Sequence, residues 1–471
     1  MTSATEGQHE GRLHRLLRRA VDVRADEVRP MMISFFFFFF LLSSYFVLRP
    51  IREAVAAASG VTKLPWLFMG TLAGTLICNP LFSGLVARLP VRRVIPISYH
   101  FFTASFLVFY VVLRFVAAGE GSTVALWMGR VFYVWITVYA LFNTSIFWTL
   151  MADSWRSEQA KRVFGFIGVG GTAGSIIGSA ATASLAPFVG AVNMLLVSAV
   201  LIELAVLTIT VFKLESTAHD VRPNGARDRE VIGGSVWAGF THVVHSPYLF
   251  GICIFQILYV FGSTVLYFAQ ADIVGHRYTT MTARTAISAD LELGAQTLTV
   301  ITQLFFTGRI LRWFGLVVGL AVLPVVSMLG FGVLGAFPVF ATVAVFSVAR
   351  RGMNFAVTNP AVEVLFTVVR REDKYKAKNV IETFVYRGGD QLAAWSYAGL
   401  AALGLGLGGI SFVAVPISAI WLGLAVWLGR RQAQLAAGDA ARQYSPSGPM
   451  SGPMSGPMSG PGIVEPSRQP L

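Results

Sequence analysis

The chain has 471 residues, of which 55% are hydrophobic and 13% charged, and it carries a formal net charge of +13 from 37 Lys and Arg against 24 Asp and Glu. A soluble domain holds about 25% charged residues, so a chain with mean hydropathy +0.65 has too little polar surface for water, and lipid is its better solvent. The basic excess falls in short loops between long apolar runs, which argues against nucleic acid as its partner. Cys78 and Cys253 both lie inside such runs, which argues against a disulfide framework or a metal site.

Residues 1–30 read as a basic cytoplasmic N-tail without a cleavable signal pattern, because the first apolar stretch begins only near Met31. Within it, Arg12 to Arg29 is an orientation signal or a segment resting on the anionic inner leaflet. A helix needs about 20 mostly apolar residues to cross the hydrocarbon core. Six runs meet this in the first half, over residues 31–50, 64–87, 94–118, 124–150, 163–186 and 190–212. A polar stretch over 213–246, with Pro223, Asn224 and Gly225, reads as a cytoplasmic linker. Six more runs follow at 247–271, 287–308, 313–335, 338–366, 378–403 and 409–429, so that the second bundle occupies 247–430. The tail 431–471 repeats Ser-Gly-Pro-Met from Ser445, cannot bury a core and reads as disordered.

The loops fix an orientation for this count. Most of the 37 Lys and Arg fall in the two tails and in the loops on the same side as the tails. The opposite loops hold only Arg52, Lys63, Arg114, Arg277 and Arg284. Positive charge stays on the cytoplasmic side, so both termini are expected inside, in a multi-pass protein of a bacterial inner (plasma) membrane.

The two halves echo each other. Ala160-Lys161-Arg162-Val163 opens the fifth span with Gly171 beyond it, and Ala377-Lys378-Asn379-Val380 opens the eleventh with Gly388 at the same distance. Gly84 to Arg93 and Gly308 to Gly315 are both short basic loops after the second span of their half. Paired six-helix repeats of this kind predict an all-α membrane protein, with twelve transmembrane helices in two pseudo-symmetric six-helix bundles of the major facilitator superfamily type.

Charge inside hydrocarbon costs several kcal/mol and has to face a cavity or a partner. By fold analogy, the first and fourth helices of each half line the central cavity. Those spans carry polar stripes at helical spacing: Tyr45, Arg49 and Arg52; Arg130, Tyr133, Thr137 and Asn143; Gln256, Tyr259, Ser263, Tyr267 and Gln270; Arg350, Asn354 and Thr358. The eighth span adds Glu292, Gln296, Thr299 and Gln303 on one face. Arginines converging from three helices suit a carboxylate or phosphate, and neighbouring aromatic rings can stack on a planar group. The candidate substrate-binding residues are therefore Arg49, Arg52, Arg130, Gln256, Tyr259, Tyr267, Arg350 and Asn354. In the alternative, each arginine is neutralised by an internal acid, as Arg387 and Asp390 one turn apart would be.

Candidate gating or coupling residues are Asp153, Lys161, Glu292, Glu363, Glu382, Arg387 and Asp390. Several of these lie in the charged clusters at the inner ends of the fourth and fifth and of the tenth and eleventh spans, where positive-inside signalling explains the basic residues equally well. Gly170, Gly174 and Gly178 recur every four residues and read as a close-packing stripe rather than a nucleotide loop, since no strand precedes them. No catalytic constellation and no histidine set with metal-ligand spacing is present, so neither an enzyme nor a cofactor is expected.

Three segments resemble the ATP/ADP translocase (nucleotide exchange transporter) family and its bacterial major facilitator relatives. They are Tyr45-Phe-Val-Leu-Arg49-Pro-Ile-Arg52-Glu53; Phe147-Trp148 with Glu158-Gln-Ala-Lys161-Arg162; and Asn359-Pro360-Ala-Val-Glu363 with Lys374-Tyr-Lys376-Ala-Lys378 and Arg387-Gly388. Arg52 stands where the exchangers have a lysine, Val362 where a lysine precedes the glutamate, and no acid occurs around Phe261 to Thr264 where the family has one. The resemblance implies the superfamily fold and transport, and an anionic, nucleotide-like solute is compatible with it.

The expected function is secondary active transport by alternating access. Two alternatives stay open: a proton-driven exporter of the same fold, with Glu292 or Glu203 as the protonated group, and a membrane receptor or assembly partner that moves nothing. Expected partners are membrane lipid and a small anionic solute, with no nucleic acid polymer, and the expected state is a monomer.

Overall fold

In hydrocarbon every backbone N–H and C=O has to find its partner within the chain, so long apolar runs fold as helices. The computed structural model of the chain obeys this rule. It describes residues 24, 27–88, 91–117, 122–155, 157–212, 246–369, 377–378 and 380–444, and no strand occurs among them. The linker and the Ser-Gly-Pro-Met repeat lie outside the described residues, apart from Ser246.

The first half comprises α1 (Val28–Ser59), α2 (Leu64–Arg88), α3 (Val91–Val111), α4 (Thr123–Ser154), α5 (Ser157–Val189) and α6 (Met194–Phe212). The second comprises α7 (Pro247–Arg277), α8 (Met281–Thr302), α9 (Gly308–Ala336), α10 (Phe340–Met353), α11 (Tyr386–Ala402) and α12 (Leu407–Tyr444). Short π turns extend four of them: Val112–Val116 after α3, Gln303–Thr307 after α8, Asn354–Thr358 after α10 and Ile381–Val385 before α11. The α10 rod then continues through Asn359–Leu365.

Local chemistry sets the ends. Ser122, Ser246 and Thr280 accept the first free amides of α4, α7 and α8, from Ala125, Leu249 and Ala283. A break inside α9 falls at Gly315, whose φ of 75° only glycine adopts without strain. Residues before that break prolong α8, which puts the turn between the predicted eighth and ninth spans at the glycine.

Several predicted boundaries move: α7 runs on to Arg277 and α8 starts at Met281, so Arg277 and Arg284 lie in helices rather than in a loop. The first span was expected to stop at residue 50, but α1 runs on to Ser59 and carries Arg52 inside the helix rather than in a loop. The tail was expected to be disordered from residue 431, but α12 continues to Tyr444. Its last turns, Gln-Ala-Gln-Leu-Ala-Ala-Gly-Asp-Ala-Ala-Arg-Gln, are rich in strong helix formers that hold the helix beyond the apolar run.

Among the described residues eight helices are long and apolar enough to cross a membrane, namely α1 to α5, α7, α9 and α12, and α6 is a shorter apolar helix. The other three, α8, α10 and α11, carry Glu292, Arg350, Arg351, Arg387 and Asp390. Their lower apolarity comes from the residues that make the site below.

The main packing pairs of the first half have counterparts six helices later. The pairs α1 with α4, α5 and α6, α2 with α4, and α3 with α4 and α6 recur as α7 with α10, α11 and α12, α8 with α10, and α9 with α10 and α12. Between the halves, α5 lies along α8 and α2 meets α11, while α1 touches both α7 and α8. The glycine stripe of α5 explains how closely α5 and α1 approach. A Cβ on Gly170, Gly174 or Gly178 would run into the backbone oxygen of Phe35, Phe39 or Ser43.

Candidate functional site

The polar stripes meet between the bundles. A cavity of about 500 Å³ is lined from α1 by Tyr45, Arg49, Arg52 and Glu53, from α7 by Tyr259, Ser263 and Tyr267, and from the α10 rod by Arg350, Arg351 and Asn354. Thr137 of α4, Phe68 of α2 and Tyr386, Arg387 and Asp390 of α11 complete the wall. A cavity of this size suits a small metabolite.

Its charges are held in different ways. Arg49 pairs with Glu292 of α8 at 3.2 Å, and Arg351 bonds the other oxygen of the same carboxylate. Glu292 is only 2% exposed and also accepts from Gln296, which in turn accepts from Ser175 of α5 at 3.4 Å. One buried carboxylate thus ties α1 to α8 and α10 across the two halves.

Arg52 pairs with Glu53 at 3.2 Å and donates to the Tyr133 hydroxyl at 3.0 Å, with its guanidinium 4.4 Å from that ring's centroid. Tyr133 in turn meets the Tyr267 hydroxyl at 3.2 Å, which joins α4 of one half to α7 of the other. On α11, Arg387 sits 3.8 Å from Asp390, and Asp390 also accepts from Thr264 of α7 at 3.2 Å.

Arg350 differs from all of these. Its side chain donates to Ser327 Oγ of α9 at 3.0 Å and to the Tyr259 carbonyl at 2.9 Å, and it lies 5.3 Å from the Tyr259 ring centroid. Gly262 leaves room for it, since a Cβ there would stand 3.1 Å from Nη2. Among the described residues no carboxylate pairs with it, although it is only 4% exposed. The π turn after α10 aims the next contact into the same space, where Asn354 donates to the Tyr259 hydroxyl at 3.0 Å.

Towards the end of the molecule that holds Ser59, Arg277 and Ala402 the two halves meet in aromatic and close backbone contacts. Trp66 of α2 meets Trp395 of α11 edge-on at 5.2 Å, and Phe68 packs on Tyr267 and Phe268. Gly275 lets α7 lie directly on the backbone of Ala57.

Comparison with known proteins adds to this geometry. No family model matches the chain. It is 24% identical over 238 residues to ADP,ATP carrier protein 2 of Chlamydia pneumoniae, over 45% of this chain and 44% of that protein. The chain therefore spans less than half the length of that curated relative. Among solved structures it is similar to a bacterial homolog of the human lysosomal transporter Spinster in an inward-facing, unoccupied conformation, with TM-score 0.54, 13% identity and coverage of 89% of this chain and 98% of that one. The nucleoside transporter NupG gives TM-score 0.48 at 15% identity, over 87% of this chain and 98% of that one.

The chain has the major facilitator fold. It is a multi-pass membrane protein, and the proteins it is similar to are transporters rather than enzymes.

Within this fold the predicted site residues separate. Arg49, Arg52, Tyr259, Tyr267, Arg350 and Asn354 come together on the cavity, with Arg387 and Asp390 beside them. Arg130 and Gln256 do not join the lining, and Arg130 instead lies 4.9 Å from the ring centroid of Trp127, a turn away on α4. Asn143 is buried in support of α1, donating to the Leu41 carbonyl. Glu203, one candidate proton carrier, lies away from the cavity against His100, with both side chains exposed. Glu363 pairs with Lys378 at 2.7 Å, linking the α10 rod to the start of the α11 segment. The side chains of Asp153, Lys161 and Glu382 lie outside those described.

The sequence reading passed over Arg351 as a site residue. Its signal was the Arg350-Arg351 doublet inside an apolar span, because neighbouring positions on a helix point about 100° apart and so serve two different partners. It also left out Glu27 at the start of α1, a fully buried carboxylate that accepts from Arg162 at 2.9 Å and Gln159 at 3.0 Å of α5.

Proposed function

We propose that the chain is a secondary active transporter that carries a small, anionic, nucleotide-like solute across the bacterial inner membrane by alternating access. The observation that carries this reading is Arg350, a buried guanidinium that has no carboxylate partner among the described residues and lies on the wall of a cavity between two bundles. An uncompensated buried charge is costly, and an anionic ligand offsets that cost each time it binds. Tyr259 and Tyr386, with ring centroids 6.4 Å apart, offer aromatic surface beside it for a planar group, and Tyr267 lines the same cavity.

The aromatic closure around Trp66, Trp395 and Phe68 is on the periplasmic side if both termini are cytoplasmic, so the cavity would serve the cytoplasmic side in this state. The likeness to an ADP,ATP carrier favours a nucleotide-like solute over other anions. Purified protein in sealed proteoliposomes, loaded and unloaded with nucleotides and phosphorylated metabolites, tests the proposal. Accumulation of a labelled anion that Arg350→Ala abolishes is expected. No flux of any anion in either direction, or full flux in the variant, would overturn it.

A further inference from the structure

The charges on the cavity wall can be paired off, and the remainder sets the valence of the ligand. Arg52 is matched by Glu53 at 3.2 Å, and Arg387 by Asp390 at 3.8 Å. Arg49 and Arg351 share the single carboxylate of Glu292, which leaves one positive charge in that trio. Arg350 has hydroxyl and carbonyl partners only, which leaves a second. Among the described side chains, then, the wall carries two positive charges in excess.

One excess charge sits on Arg350 between α7 and α9, and the other is shared by Arg49 and Arg351 on either side of Glu292, all three arginines lining the one cavity. Both excess charges face one cavity of about 500 Å³, so a single small ligand can answer both. A phosphate monoester holds close to two negative charges on one phosphorus and offers oxygens suited to planar guanidinium donors.

We infer that the cavity selects a compact dianion, the chemistry of a single phosphate monoester, over the more highly charged diphosphate and triphosphate. This deepens the anion-transport reading and rests on it. A neutral ligand leaves both excess charges buried, and a tri- or tetra-anion buries unmatched negative charge beside Glu53, Glu292 and Asp390. Either mismatch is penalised in a site of low dielectric.

The test is binding to the purified full-length protein in detergent, read as a ligand-dependent rise in apparent Tm. One ligand ladder is adenosine, cyclic adenosine monophosphate, AMP, ADP and ATP without magnesium. A second, on a smaller scaffold, is ribose, ribose 5-phosphate and ribose 1,5-bisphosphate. At least tenfold tighter binding of the single monoester than of its neighbours, on either ladder, is expected. Tightest binding of ADP, ATP or the bisphosphate, or of the neutral or singly charged member, overturns the dianion while leaving anion transport standing. Failure of every ligand on both ladders removes both.

Two variants separate charge from fold. Asp390→Asn adds one positive charge and should move the preference towards ADP. Arg350→Gln removes one and should move it towards the cyclic monophosphate. A merely structural role for these residues would weaken all ligands alike, and that outcome also overturns the inference.

Discussion

Arg49 of α1 and Glu292 of α8 face each other at 3.2 Å across the boundary between the two bundles. The carboxylate is 2% exposed and serves Arg351 of α10 at the same time. A buried carboxylate with two guanidinium partners is well compensated, but removing it leaves two half-buried cations facing each other. The loss of a fully buried ion-pair partner costs roughly 3–5 kcal/mol, and the partial exposure of both arginines brings the cost here below that range. Glu292→Ala is therefore expected to lower the apparent Tm of the detergent-solubilised protein by many degrees. Adding Arg49→Ala to that variant should recover part of the loss. A single variant as stable as the parent would show that the bridge contributes nothing.

Arg350 predicts the opposite sign. Its removal orphans no acid, only the Ser327 hydroxyl and the Tyr259 carbonyl. Arg350→Met should leave the unliganded protein as stable as the parent or more so, because an uncompensated charge leaves the interior. The same change should weaken anion binding about 30-fold or more, the scale of a lost buried charge contact of 2–5 kcal/mol. Thermal unfolding with and without ligand measures both effects on one sample. Destabilisation without loss of ligand response would count against the assignment.

The close approach of α5 and α1 gives a packing prediction. Gly174 has no room for a Cβ against the Phe39 backbone, whereas at Gly168 a Cβ meets nothing within 4 Å. Overpacking of a well-filled contact costs about 1–3 kcal/mol. Gly174→Ala should lower stability by that amount and Gly168→Ala should leave it nearly unchanged. Equal effects at the two positions would refute the stripe as the seam between these helices.

The closed end gives a functional prediction. Trp66 and Trp395 are the edge-on aromatic contact between α2 and α11. In alternating access this contact has to separate once per cycle. Cysteines placed at both positions and joined by a short bifunctional reagent should reduce transport at least tenfold, with either cysteine alone remaining active after the same treatment. Undiminished transport with full cross-linking would show that this end does not open.

Much of the fold was legible in the sequence because lipid leaves a chain few choices. A run such as Met31 to Leu48 in hydrocarbon has to be a helix, and the basic loops orient it. The polar stripes on α1, α7 and α10 were legible for a related reason, since charge in an apolar run has to face something other than lipid. Spacing along one helix does not say what that something is. Arg130 looked like Arg350 in this respect, yet it sits beside Trp127 on its own helix while Arg350 enters the cavity.

The sequence by itself determined a membrane-embedded helical chain in two echoing halves, and which helices carry charge. Tertiary structure alone decided which arginines are neutralised: Glu292 lies more than 240 residues from Arg49 along the chain and yet is its partner. Ion pairing depends on distances of a few ångströms between side chains from different helices, and those distances exist only once the bundles have packed. Among the described residues the same packing left Arg350 with hydroxyl and carbonyl partners alone, and the proposal of an anion site rests on that.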